Sequence, residues 1–424
     1  MACFEIFLRK LCYLVVERDY FMKFYLLTIF SYWFLFMPAG DANAQVAQAN
    51  PFLATPDPNK PLLLDMNVQI EATQAVNDMY NFKFAKAEQQ FRWLKQKYGT
   101  HPLPYFLLGL SEWWKIVPNV ENTMYDQKFL AYMDTSIYYA EKMFEQDEED
   151  PEAAFFLAAA YAFQGRLYSE RRDWSKATLA GKSSLNFLEI CKGKEDFSPE
   201  LLFGDALYNY YAEWVPENYS ILKPVLMFFP EGDKELGIQQ LKTVANNAFY
   251  TRTEAQFFLM RILTSEGTQP AEAFRISEYL YQTFPDNPYF HRYYARQLYS
   301  RGKQKQAEEE SLEILARIDS GMTGYEATSG RYASFFLGQI YEMRGNLDSS
   351  QHYYQRTVEF AKEAGATESG YFMYALLNLG EIAQLKGRDN EAKDYYKEVK
   401  KRAKRSTRVH EKARENLRSL RQGA

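Results

Sequence analysis

Residues 335–358 read FFLGQIYEMRGNLDSSQHYYQRTV, and residues 376–399 read LLNLGEIAQLKGRDNEAKDYYKEV. The two stretches share an order of residue types. Each has a Leu-Gly pair (Leu337-Gly338, Leu379-Gly380), then a basic-Gly turn (Arg344-Gly345-Asn346, Lys386-Gly387-Arg388). A small residue follows (Ser350, Ala392), and an aromatic stands four positions after it (Tyr354, Tyr396). Small residues let helix axes approach to about 8–10 Å, and Gly supplies the positive φ that ends a helix sharply. Each stretch therefore predicts two antiparallel helices crossing tightly. Ala295, Leu298, Arg301-Gly302-Lys303, Ala307 and Ser311 make a further copy, and Pro285-Asp286-Asn287-Pro288 separates it from the unit before.

The small residue of the first helix can be followed through Ala75, Gly109, Ala158, Gly204, Arg261, Ala295, Gly338 and Gly380, with Arg261 breaking the small-residue rule. Ala75 to Gly109 and Arg261 to Ala295 are each 34 residues, and longer intervals imply insertions. Leu-Gly, Tyr, Ala, aromatic and terminal Pro in this order resemble the tetratricopeptide repeat family, over most of residues 66–424. The resemblance implies an all-α fold, a right-handed superhelical solenoid of about eight antiparallel hairpins. GDKELGIQQL at 232–241 is similar to tetratricopeptide proteins of the inclusion-body clearance family. Residues 62–260 read as divergent units with insertions, 261–399 as regular units, and 400–424 as a basic capping helix. That last segment holds ten Lys and Arg against two Glu, with Val409, Ala413, Leu417 and Leu420 on one stripe. A solenoid needs such a one-faced terminal helix.

The beginning of the chain is read differently. From Met22 it runs MKFYLLTIFSYWFLFMPAGDANA: Lys23, an apolar run from Phe24 to Met37, then Ala42-Asn43-Ala44. That layout predicts a signal peptide over residues 1–44, with translation starting at Met22 and cleavage after Ala44. The alternative is an uncleaved membrane anchor with weak membrane association, although a span usually needs about 20 apolar residues. Residues 45–61 read as a flexible leader. Export to the periplasm or envelope is the expected location. No Cys follows the apolar run, which disfavours a lipid anchor, and Cys191 is alone once Cys3 and Cys12 are removed.

The composition, 47% apolar and 25% charged with a formal charge of −5, supports a packed core and excludes wholesale disorder. No catalytic set emerges. His101, His291, His352 and His410 lack partners at helical ligand spacing, so no metal site is expected. Ala180-Gly181-Lys182-Ser183-Ser184 resembles the end of a phosphate loop, but Lys176 stands where that loop needs its first Gly. The acidic run at 145–152 lacks the ligand alternation of a calcium loop. Neither an enzymatic activity nor a cofactor is expected, and no nucleic acid.

What remains is surface. The first helices of such hairpins line a groove, whose predicted members are Arg292, Tyr293, Arg296 and Tyr299, then Phe335, Gln339 and Glu342, then Asn378, Glu381 and Gln384. Trp113 and Trp114, with Tyr208 and Asn209, occupy the corresponding phase earlier in the chain. Arg and Tyr supply contact area and planar hydrogen bonding at interfaces. The expected function is a non-catalytic scaffold binding a protein or peptide. A carbohydrate- or nutrient-binding module on the same scaffold is the alternative, prompted by the Trp residues and the insertions.

Overall fold

A computed structural model describes residues 61–218 and 230–422 of the chain. The signal-peptide reading and nearly all of the leader lie outside the described residues. Seventeen α-helices and two 3-10 turns account for the regular structure among them. In order the helices are α1 Met66–Tyr80, α2 Phe84–Lys97, α3 Pro102–Ile116, α4 Asp126–Phe144, α5 Pro151–Glu170 and α6 Trp174–Cys191. Next come α7 Leu202–Asn218, α8 Lys234–Asn247, α9 Arg252–Glu266, α10 Pro270–Thr283, α11 Pro288–Ser300 and α12 Gln304–Asp319. The chain finishes with α13 Ala327–Met343, α14 Leu347–Glu363, α15 Gly370–Leu385, α16 Asp389–Arg402 and α17 Arg408–Gln422. No described helix is long and apolar enough to cross a membrane.

The chain forms two compact units: residues up to Trp114 with Met124–Ile262, and Lys115–Thr123 with Leu263 onward. Each is a stretch of α-solenoid. In the second, α11 packs on α12, α13 on α14 and α15 on α16, while α11, α13 and α15 also touch in series and α15 touches α17. That pattern, neighbour plus next-but-one, is what stacked hairpins produce.

The crossings follow the pattern of small residues. Gly338 of α13 lies under the fully buried Tyr354 ring of α14, and Gly380 of α15 under Tyr396 of α16. Ser350, also fully buried, donates its hydroxyl to the Gly338 carbonyl at 2.9 Å. In the first unit Gly237 of α8 meets the backbone of Ala206 and Tyr210 in α7. Its neighbour Asp233 caps α8 by accepting from the Leu236 amide at 2.8 Å. Arg261 is half-buried, its guanidinium 5.7 Å from the Phe257 ring centre of its own helix.

The turns between paired helices repeat one geometry. Gly302, Gly345 and Gly387 have φ of 69°, 72° and 71°. Past them, the amides of Lys303, Asn346 and Arg388 bond back to the carbonyls of Leu298, Tyr341 and Ala383 at 3.0, 2.9 and 2.8 Å. This is the six-to-one closure of a Schellman turn. Two earlier hairpins make the same closure without glycine: Phe82 at φ 59° and Arg172 at φ 60° hold the left-handed position.

The basic C-terminal segment is divided between two helices. Lys400, Lys401 and Arg402 finish α16, and α17 begins at Arg408. Val409 and Ala413 are buried against the preceding hairpin, with Leu417 and Leu420 packed beside them.

Candidate functional site

The first helices of the second unit, α11, α13 and α15, bring most of the predicted groove residues together. Tyr293, Arg296 and Tyr299 on α11 and Gln339 on α13 are half-buried. Tyr299 donates its hydroxyl to Gln339 Oε1 at 2.8 Å, Gln339 Nε2 donates to the Tyr354 hydroxyl at 3.0 Å, and Tyr354 donates to Glu342 at 2.5 Å. The polar row is thus held by side chains of its own and the next helix. On α15, Asn378 is buried, while Glu381 accepts from Asn416 at 3.1 Å and pairs with Lys412 at 3.0 Å. Glu381 therefore anchors α17, a role its place in the sequence pattern did not suggest.

Arg292 departs from the expectation of an open groove residue. It is only 6% exposed. Its Nη1 donates to Ser329 Oγ at 3.1 Å and lies 3.9 Å from the Glu326 carboxylate. The guanidinium also sits 4.7 Å from the Tyr289 ring centre and 5.4 Å from that of Tyr332.

Beside it lies a residue that sequence reasoning missed. Arg331 on α13 is buried, and its Nε and Nη1 have no hydrogen-bond partner. Burial pulls its guanidinium below the usual range, and the charge of Arg292 adds to that pull. Glu326, the N-cap of α13, is pushed up by burial against the pull of Arg292, and its Oε1 has no hydrogen-bond partner. Tyr332 and Tyr371 complete the wall, with ring centres 4.7 Å apart. Two buried guanidiniums thus share one partly buried carboxylate among tyrosine rings, which leaves positive charge in excess. A buried cation is costly unless it is paired and hydrogen-bonded, and Nε and Nη1 of Arg331 lack hydrogen bonds. An Arg among small residues (Ser329-Gly330-Arg331) was the available signal in the sequence.

Trp113 and Trp114 are not surface. Both are 1% exposed. Trp113 packs on Phe129 and Phe163 at 5.7 Å each, with the Arg166 guanidinium 4.3 Å from its ring centre. Trp114 packs edge-on to Tyr80 at 5.2 Å and donates its indole N–H to Glu254 at 2.9 Å. Residues 102–114 of the helix that carries them are all buried, so no phase along it remains for a groove. Tyr208 and Asn209 are half-buried and bonded to Pro230 and Gln240 at 2.9 and 2.8 Å.

Gly181 is buried in the middle of α6, so Ala180–Ser184 forms helix rather than a phosphate loop. Glu213, Asp233 and Glu235 bring carboxylate oxygens within 4.8 Å of one another. Glu213 accepts from the Lys234 amide at 2.7 Å and Asp233 caps α8, so two of the three serve the start of that helix.

No family model and no curated protein matches the chain. Among solved structures, the TPR domain of P58(IPK) is 12% identical, covering 84% of this chain and 99% of that one, with a TM-score of 0.22. The human IFIT1 dimer with PPP-AAAA is 14% identical, covering 79% and 86%, with a TM-score of 0.28. At these scores the assignment of an α-solenoid rests on the hairpin packing of the chain itself.

Proposed function

We propose that the chain is a non-catalytic binding scaffold whose second unit holds a partner peptide along α11, α13 and α15. An anionic group of the peptide would be taken by Arg292 and Arg331. The observation that carries this reading is the surplus of buried guanidinium over carboxylate, with two nitrogens of Arg331 lacking any hydrogen bond. Tyr293, Arg296 and Tyr299, half-buried on the same helix as Arg292, add contact area. We further propose that the scaffold works outside the cytoplasm, on the strength of the apolar run from Phe24 to Met37 and the small residues at Ala42 and Ala44. A mature protein beginning at Gln45 would support export, and one retaining Met1 would refute it.

The binding test is a fluorescence titration with peptide pools matched except for Asp/Glu against Asn/Gln. Acidic pools should bind more tightly, with an affinity that falls as salt rises. Arg331→Met should weaken acidic-peptide binding by about tenfold, the size of one charge-assisted contact, while melting stays at or above that of the parent protein. Arg292→Ala with Arg296→Ala should weaken the same pools. Equal binding of neutral and acidic pools, or of glycans alone, would defeat this reading.

A further inference from the structure

The first unit contains a cavity of about 200 Å³. Its walls come from α3, α5, α6, α7 and α9, and from the two 3-10 turns that carry Leu63 and Leu201. The lining is aliphatic and aromatic on all these elements, as Phe106, Ala162, Leu185, Phe203 and Phe258 show. Ala159, Ala162 and Leu185 are only partly buried, so the space between the helices is open on their side. An apolar cavity near 150 Å³ stays dry and accepts benzene, so this one has room for a somewhat larger apolar molecule.

Three polar side chains of the lining decide what kind of molecule. Arg166 and Glu254 are both buried, and each acts on the other's charge. Glu254 also accepts from Trp114, so the two ions offset each other and leave little net field on that side. Tyr250 is different. It is 6% exposed, and its hydroxyl is buried without a hydrogen-bond partner. The carboxylates of Glu200, Glu152 and Asp65 make its surroundings negative. Glu200 itself is fully engaged by the amides of Phe249, Tyr250 and Thr251 at 2.6, 2.8 and 2.8 Å and by the Thr251 hydroxyl at 2.5 Å. It has no further need of the Tyr250 proton.

We propose that this cavity binds a neutral, largely apolar small molecule carrying one hydrogen-bond acceptor, which the Tyr250 hydroxyl engages. An unsatisfied buried hydroxyl is costly, and an acceptor on the ligand removes that cost. A carboxylate would enter the negative surroundings of Tyr250, and an ammonium would lose its hydration near Arg166. Walls from seven separate segments suit a whole small molecule better than one side chain of a docked protein. The site shares no residue with the peptide groove, so either can fail without the other.

The test uses the full chain with 1-octanol, octanoate and octylammonium below their aggregation concentrations, by titration calorimetry. Octanol should bind saturably at one site, and the two charged analogues should bind weaker by about tenfold or more. Tyr250→Phe should weaken octanol binding by about three- to tenfold without lowering the melting temperature. Ala162→Phe should abolish binding by filling the space, and Ala159→Leu provides the same test if the larger side chain prevents folding. Absence of saturable octanol binding, octanoate binding as tight as octanol, or undiminished affinity in Tyr250→Phe would each overturn the proposal.

Discussion

Replacing Gly338 by Ala tests the crossing on which the hairpin depends. A mid-helix Gly→Ala change ordinarily stabilises a helix by about 1 kcal/mol. Here the new methyl would stand 2.6 Å from Cδ1 and Cε1 of Tyr354 and 3.1 Å from its Cγ. The ring is 0% exposed, and its hydroxyl bonds both Gln339 and Glu342, so it cannot swing aside without breaking those contacts. Separating the helices instead would stretch the Ser350–Gly338 hydrogen bond. Overpacking of this kind costs about 1–3 kcal/mol, and the engaged ring argues for the upper end. The expected net loss is about 2 kcal/mol after the helix gain.

Guanidinium chloride unfolding followed by circular dichroism measures that loss. A double-mutant cycle with Tyr354→Leu locates it, because a smaller, flexible side chain can yield to the methyl. The cycle should return a coupling of about 1 kcal/mol or more in the direction of rescue. Gly338→Ala that is neutral or stabilising, or that is not relieved by Tyr354→Leu, would refute the reasoning. The same change at Gly345 is a control of different origin: nothing lies within 4 Å of its Cβ position, and only its φ of 72° opposes a side chain.

Four further outcomes are expected. Arg172→Gly should raise stability by about 0.5–1 kcal/mol, by relieving a left-handed non-glycine residue that is exposed; Phe82→Gly should instead lower it by about 3 kcal/mol, since Phe82 packs on Phe84 and Trp114. His291 is fully buried between Tyr325 at 2.9 Å and Glu310 at 2.8 Å, and burial holds its imidazole below the ordinary histidine range against the pull of Glu310. The unfolded chain then binds the proton more readily, so stability is full above about pH 6.5 and falls as pH drops below it; urea midpoints between pH 7.5 and 5 should fall less steeply in His291→Gln, and an identical slope would exclude this origin. Burial pushes Asp205 up to about 6 from 3.8, so its ionisation opposes folding as pH rises through that interval; Asp205→Asn should gain roughly 1 kcal/mol at pH 7, after allowance for its partial solvation, and nothing at pH 4.

The sequence by itself determined the hairpins. Gly338, Gly380, Ser350 and Ala392 mark places where two helices must nearly touch, and Gly302, Gly345 and Gly387 mark turns only glycine enters cheaply. Such constraints act within about 20 residues, so they leave a local trace in the spacing. The grouping of Tyr293, Arg296, Tyr299 and Gln339 followed from the same periodicity. What the tertiary structure decided is which of those side chains remain available. Trp113 and Trp114 have the phase of groove residues, yet α5 and α9 supply Phe163, Arg166, Glu254 and Phe257 to bury them. Arg292 and Arg331 are separated by 39 positions and meet only because α11 and α13 stack, which no short-range pattern encodes. The cavity beside Tyr250 is likewise a product of packing, since it is a space left where seven segments converge. Secondary structure is written in nearest-neighbour sterics, whereas charge balance and empty volume depend on distant segments and are settled only when those segments close on one another.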